Sequence, residues 1–134
     1  MKKKKILITG VCGFIGYSLA ARLLAKKNIV VVGIDSINNY YDPKLKKDRL
    51  NNLKSKFKKN FSFYKCKIEN KKSIESIFQK HKFNVVINLA AQAGVRYSLE
   101  NPDAYIQTNL VGFFNISISF LLRFFLLRFS CFCQ

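Results

Sequence analysis

Short apolar runs alternate with amphipathic stretches along this chain. Ile6, Leu7 and Ile8 form a run too short for a helix and suited to a buried parallel strand. The period then changes: Ile15, Leu19 and Leu23 recur at i, i+4, i+8, Leu24 widens the stripe, and Arg22, Lys26 and Lys27 fall off it. This predicts a helix from Gly16 to about Lys27, with Asn28 as a left-handed C-terminal residue. Ile29 to Ile34 is a β-branched run around Gly33, a second buried strand that ends on Asp35. Asp42-Pro43 is a cap followed by proline at the first helical position, and Leu50, Leu53 and Phe57 carry that second helix onward. Phe61 and Phe63 alternate in a third strand ending near Cys66, and Ile74, Ile77 and Phe78 mark a third helix. Val85 to Leu89 gives a fourth strand, and Asn101-Pro102 opens a further helix with Tyr105, Ile106 and Leu110 on one face. Four strand–helix alternations with right-handed crossovers predict an α/β fold, a doubly wound parallel sheet of strand order 3-2-1-4.

The chemistry concentrates where the first strand meets the first helix. Gly10, Gly13 and Gly16 stand at G-x-x-G-x-x-G spacing between them. A strand turning on glycine into a helix start makes a phosphate site. The first N–H groups of the helix and its positive dipole end face the turn, and absent Cβ atoms let a pyrophosphate approach. Asp35 follows Gly16 by nineteen residues, close to the interval of the acid that accepts from the adenosine ribose hydroxyls. A carboxylate there repels a 2′-phosphate, and Ser36-Ile37 brings no arginine, which favours NAD over NADP. Ala90-Ala91-Gln92-Ala93-Gly94, at the carboxyl end of the fourth strand, lets a ligand lie against the backbone.

Composition changes this picture little. The 134 residues fit one domain with a real core, and 49% hydrophobic content is ordinary. A formal net charge of +17 is not ordinary. The lysines are nonetheless spread over positions that suit solvated helix faces, and no nucleic-acid-binding module accompanies them, so no nucleic-acid partner is expected. Four cysteines (Cys12, Cys66, Cys131, Cys133) show no C-x-x-C pair, and the only histidine, His81, lacks a second histidine or a nearby acid. No metal site is expected, and a reduced, cytoplasmic setting is the simplest reading.

Five segments in order carry a resemblance: T-G-V-C-G-F-I-G (Thr9 to Gly16), D-S-I-N-N-Y-Y-D-P (Asp35 to Pro43), L-A-A-Q-A-G-V-R-Y-S (Leu89 to Ser98), E-N-P (Glu100 to Pro102) and N-L-V-G (Asn109 to Gly112). Together they resemble the extended short-chain dehydrogenase/reductase (NAD-dependent epimerase/dehydratase) family, and within it are similar to the UDP-glucuronate 4-epimerases of polysaccharide synthesis. The resemblance implies a Rossmann-type domain with NAD as cofactor. Gly10, Gly13, Phe14, Ile15 and Gly16 would cradle the pyrophosphate, and Asp35 with Asn38 would hold the adenosine ribose. Leu89, Ala90, Ala91 and Gln92 would line the nicotinamide side, with Asn109 reaching it from its helix. Arg96 and Ser98 would approach a UDP-sugar. The implied reaction is a transient oxidation at the sugar 4-position, in which a Tyr-x-x-x-Lys pair moves the proton while NAD takes the hydride.

Two departures stand out. Family members carry Asp-Leu or Asp-Ile after the third strand, whose carboxylate meets the adenine amino group; Lys67-Ile68 stands here, and lysine has no acceptor. Ile68 keeps only backbone groups to offer, so weaker NAD binding is expected. The resemblance also fades near Ile116, before the position of the proton-transfer pair, which is expected to be absent; no catalytic residue is assigned. The chain therefore reads as an incomplete NAD-binding domain at 1–116 and a divergent hydrophobic tail at 117–134. Three readings of that tail compete: a frameshifted or misplaced gene end, a hydrophobic anchor, and a buried helix of a longer fold. Arg123 and Arg128 make spanning poor, each costing about 2.5–3.5 kcal/mol at a membrane centre. The expectation is the cofactor-binding part of a sugar-nucleotide epimerase, inactive alone. The alternative is a non-catalytic dinucleotide-binding module, or one half of a split enzyme completed by another chain or by self-association.

Overall fold

The computed structural model describes residues 3–40 and 42–129, the last seven of these as backbone only. Expectations resting on Arg123, Arg128, Cys131 and Cys133 lie outside the described side chains.

Four parallel strands form one sheet in the order β3-β2-β1-β4: β1 Lys4–Thr9, β2 Ile29–Asp35, β3 Phe61–Lys65 and β4 Val85–Asn88. Leu7 aligns with Val32 on one side and Val86 on the other, and Asp35 aligns with Lys65 at the sheet's carboxyl end. The helices are α1 Phe14–Leu24, α2 Pro43–Lys56, α3 Lys71–Lys80, the short α4 Val95–Glu100 and α5 Pro102–Tyr105, then a π-helical stretch Ile106–Gly112 that runs into α6 Phe113–Phe129. The expected fold class and strand order are those observed.

Period-two alternation in the strands divides the core in two. Ile6, Ile8 and Val31 pack with Ala20 and Leu24 of α1 and Leu50 and Leu53 of α2. Leu7, Val32 and Ile34 face the other way, against Ile74 and Ile77 of α3, Phe83, and Ile116 of α6. Both faces of the sheet are thus covered, as parallel sheets require.

Caps set the helix starts. The Asp42 side chain accepts from Lys44 N at 2.8 Å with Pro43 opening α2, and Asn70 accepts from Ser73 N at 3.1 Å at the start of α3. Asn101 does the same for Ala104 N. Asn28, at φ 68°, adopts the expected left-handed conformation between α1 and β2.

Three details differ from the sequence reading. The first helix begins earlier and ends sooner, and its buried stripe is Gly16, Ala20 and Leu24 rather than Ile15, Leu19 and Leu23. Small residues at that face let the helix sit close on the sheet, and a Cβ on Gly16 would run into the Gly10 carbonyl. Strand β4 stops at Asn88 because the Leu89 N–H leaves the ladder for the hydroxyl of Thr9, at 3.0 Å. Helix α4 carries no periodic signal in the sequence, and the stretch expected as an ordinary helix with Ile106 and Leu110 on one face is π-helical at Ile106–Gly112.

The segment after the π-helical stretch is docked on the body. Asn115 Nδ2 donates to the carbonyls of Ile68 and Glu69, both at 3.1 Å, and Gly112 lies against the Ile68 side chain. The outer face of this long helix exposes Ile106, Leu110, Phe113, Phe114 and Leu121. Pro102–Leu122 is long and apolar enough to cross a membrane by length and composition alone. Among the described residues β4 is an edge strand, with Val85 41% exposed.

Candidate functional site

A parallel sheet sends every strand's carboxyl end to one side, and ligands of such folds lie in the crevice there. Thr9, Asp35 and Asn88 all end strands at that side. Above them lies a cleft of about 990 Å³, at the upper end of the usual range for ligand sites, roughly 300–1,000 Å³.

Its floor is the turn from β1 into α1. Fully buried Thr9 holds two strand ends together: its hydroxyl donates to Asn88 Oδ1 and accepts from the N–H groups of Leu89 and Ala90 at 3.0 and 3.1 Å. Gly10 follows at φ +67°, and a Cβ there would lie 2.9 Å from the Leu89 carbonyl and Ala90 nitrogen. Only glycine fits both the left-handed conformation and that approach. Gly13 N donates to Gly10 O at 3.0 Å, closing the turn, and Gly13 starts α1 without a side-chain cap. Helices α2, α3 and α5 each spend a side chain on their first N–H groups. Helix α1 leaves its own uncapped beside the cleft, an arrangement that suits a phosphate.

Asp35 is 8% exposed and lines the cleft. Its Oδ2 accepts from Cys12 N at 2.9 Å and its Oδ1 from Ile37 N at 2.8 Å. These bonds fix the carboxylate while leaving each oxygen a further lone pair. Ile37 sits at φ 51°, unusual for a β-branched residue, in the turn this carboxylate organises. Beside it, buried Lys46 donates to both Asn38 Oδ1 and Asn38 O, at 2.6 and 3.2 Å. Burial pushes the Cys12 thiol up to about 12, and the Asp35 charge adds to the rise.

The opposite wall comes from the strand β4 exit. Gln92 is clamped to the π-helical stretch: Asn109 Oδ1 accepts from Gln92 N at 2.8 Å, and Asn109 Nδ2 donates to Gln92 O at 2.9 Å. The Gln92 carboxamide lines the cleft with its nitrogen buried and without a hydrogen-bond partner. Tyr105 donates to the carbonyls of Ala93 (2.8 Å) and Gly94, and the rings of Tyr40, Tyr97 and Tyr105 follow one another at 5.1 and 6.2 Å.

The cleft thus brings together Gly10, Gly13, Phe14, Ile15, Gly16, Asp35, Asn38, Ile68, Leu89, Ala90, Ala91 and Gln92. Exposed Phe14 and Ile15 are explained by facing it. Three candidates lie off its lining. Asn109 acts on the Gln92 main chain, Arg96 is exposed on α4, and Ser98 donates to the Val95 carbonyl at 2.6 Å within its own helix. The Ile68 carbonyl accepts from Asn115, so its backbone is partly committed to packing. His81 stays apart from the cleft, with Nε2 2.8 Å from Tyr64 Oη.

One expectation needs correction on spacing alone. A Tyr-x-x-x-Lys does occur, Tyr40 to Lys44. It straddles the Asp42 cap and Pro43 start of α2, so the two are not on one helical turn, and exposed Lys44 lines no part of the cleft. Sequence reading also missed Thr9, Lys46 and Arg49. A buried threonine at a strand end gives no pattern, and the two cations look like any lysine-rich helix face.

A parallel β3-β2-β1-β4 sheet with a glycine turn under a cleft and an acid ending β2 defines the Rossmann class of nucleotide-binding folds. The chain belongs to the family whose model is described as GDP-mannose 4,6 dehydratase, which matches residues 7–119. It is 55% identical over 112 residues to Protein CapI of Staphylococcus aureus, covering 84% of this chain and 32% of that protein. To a UDP-glucuronate 4-epimerase of Thermodesulfobacterium geofontis it is 46% identical, covering 82% and 33%. The fold is similar to a crystal structure of UDP-glucuronic acid 4-epimerase from Bacillus cereus in complex with UDP-glucuronic acid and NAD, with TM-score 0.76, 31% identity, and 86% and 35% coverage. The chain spans about a third of the length of these relatives.

Proposed function

We propose that this chain is the N-terminal, NAD-binding part of a cytoplasmic nucleotide-sugar 4-epimerase acting on UDP-glucuronate in polysaccharide synthesis, and that it does not turn over substrate alone. The observation that carries the reading is the uncapped α1 N-terminus above Gly10 and Gly13, with the fixed Asp35 carboxylate beside it. These groups suit a pyrophosphate and a ribose diol, and the unpartnered Gln92 nitrogen is a donor awaiting an acceptor. When bound, NAD would supply the hydride acceptor and donor for oxidation and reduction at the sugar's 4-position. This chain's residues would bind and orient it: the α1 N–H groups and Gly13 the pyrophosphate, Asp35 and Asn38 the adenosine ribose, and Leu89 to Gln92 the nicotinamide side. Arg96 and Ser98, on the short helix beyond the cleft wall, are assigned to the UDP-sugar.

The domain is read as residues 1–116 with a divergent tail, and catalysis as needing a complementing chain. The exposed Val85 edge and the apolar outer face of the long helix support a further packing partner or self-association. The test is to add the C-terminal two thirds of a relative such as Protein CapI and assay UDP-glucuronate epimerisation. The expected result is no turnover by the chain alone and turnover by the mixture. Turnover by the chain alone refutes the division of labour. A folded, NAD-bound mixture without turnover favours a non-catalytic dinucleotide-binding module.

A further inference from the structure

Arg49 lies thirty-three residues beyond Gly16 in the sequence, yet it lines the same cleft from α2. Its guanidinium is held over the glycine turn by two contacts. Nη1 donates to the Cys12 carbonyl at 3.3 Å, and the Phe14 ring lies 5.9 Å below Cζ. Cys12 lies in the turn that leads into the uncapped N-terminus of α1, and Phe14 is the first residue of that helix. Among the described residues no ion pair joins Arg49 to a carboxylate. Asp35 is a nearby charge, bonded to the Cys12 N–H while Arg49 bonds the Cys12 carbonyl, but it makes no ion pair with Arg49. Asp35 accepts from two main-chain N–H groups, Asp42 caps α2, and Asp48 is exposed.

A half-buried guanidinium, oriented by its neighbours and with no carboxylate in ion-pair contact, gains from an anion that completes it. Its planar fork of five donors, of which one is used here, matches phosphate oxygens in pairs. The cation–π contact with Phe14 holds the plane without consuming donors.

We propose that Arg49 is a phosphate-binding side chain of the cleft, gripping a phosphate of the dinucleotide from the α2 wall while α1 offers its N–H groups. The inference rests on the dinucleotide reading above and adds a contact from a residue outside the glycine motif. Two sources can supply that phosphate: the pyrophosphate common to NAD and NADP, or the 2′-phosphate of NADP alone.

The test is calorimetric titration of the full chain with NAD, NADP and adenosine at low and moderate salt, comparing wild type with Arg49→Gln and Arg49→Lys. Loss of charge-assisted bonds predicts a weakening of NAD binding of roughly tenfold or more in Arg49→Gln, with a flatter salt dependence and unchanged adenosine binding. Arg49→Lys restores the salt dependence and part of the affinity. Weakened NADP binding with unchanged NAD binding assigns the contact to the 2′-phosphate. Equal affinities for both dinucleotides in wild type and Arg49→Gln overturn the inference and leave the dinucleotide reading standing. Adenosine weakened as much as NAD overturns it too, by showing that Arg49 serves the turn or the nucleoside. Wild type that binds neither dinucleotide refutes the dinucleotide reading itself. Should Arg49→Gln fail to fold by circular dichroism, Arg49→Lys carries the same comparison.

Discussion

Asn109 and Gln92 are joined through both groups of the asparagine amide, at 2.8 and 2.9 Å. The side chain reads the Gln92 main chain as a β-strand neighbour would, where strand β4 has ended and no ladder partner remains. The π-helical stretch Ile106–Gly112 carries this asparagine to the cleft wall; such stretches often occur at functional sites. Asn109→Ala strands a half-buried N–H and a carbonyl together. The expected cost is about 1–3 kcal/mol in urea unfolding, with weaker NAD binding from a loosened Leu89–Gln92 wall. A variant as stable as wild type, with the same affinity, would show that the clamp is incidental.

Thiol labelling reads the burial of the floor. Cys12 is fully buried and its thiol is held up to about 12, so the thiolate is scarce at pH 8. Mass mapping after a maleimide pulse is expected to find Cys12 unmodified until denaturant is added. Cys66, also raised by burial but lining the cleft, should label faster and be protected by NAD. Rapid native labelling of Cys12 contradicts the packing described.

His81 provides a pH signature away from the cleft. Burial lowers its pKa, and the nearby charges of Lys5 and Lys80 lower it further. The unfolded chain therefore binds a proton more readily than the folded one. Neutral His81 leaves stability intact above the unfolded value of about 6.5, and the contribution is lost as pH falls through the lower folded value. Melting temperature should drop below pH 6.5, and His81→Gln should shrink that drop. An identical acid-side slope in the variant would exclude His81 as its source.

Lys67 lines the cleft beside Ile68 and Glu69, where the family resemblance places an aspartate for the adenine amino group. Lysine offers donors to a group that is itself a donor. Lys67→Asp should tighten NAD by about threefold to tenfold, the worth of one exposed hydrogen bond, and leave nicotinamide mononucleotide unaffected. Equal losses for both ligands would point instead to a general charge effect, and an unchanged NAD affinity would count against this placement of Lys67.

The sheet was legible because β1, β2 and β4 are short apolar runs of strand length and β3 alternates Phe61 and Phe63, and the glycine spacing with Asp35 located the cleft. Other features depended on contacts no periodicity reveals. The α1 stripe was displaced by one residue because Ile15 turns to the cleft while Gly16 and Ala20 pack on the sheet. Asn109 was expected to reach the nicotinamide side from its helix, and in the structure it bonds the Gln92 main chain behind the cleft lining. Thr9 and Arg49 act through neighbours some eighty and thirty-seven residues away, which only the folded sheet brings together. The boundary expected near Ile116 falls inside a docked segment: Ile116 itself is buried and Asn115 holds the loop after β3. The start of α6 therefore belongs to the folded body.

We propose that this chain holds NAD between the glycine turn and Asp35. Titrating NAD into the full chain by calorimetry, beside an Asp35→Ala variant, tests it most directly. One site per chain is expected, with a loss of roughly tenfold or more in affinity in the variant as the ribose hydroxyls lose their acceptor. An absence of binding by a folded wild-type chain, or binding indifferent to Asp35, would contradict it.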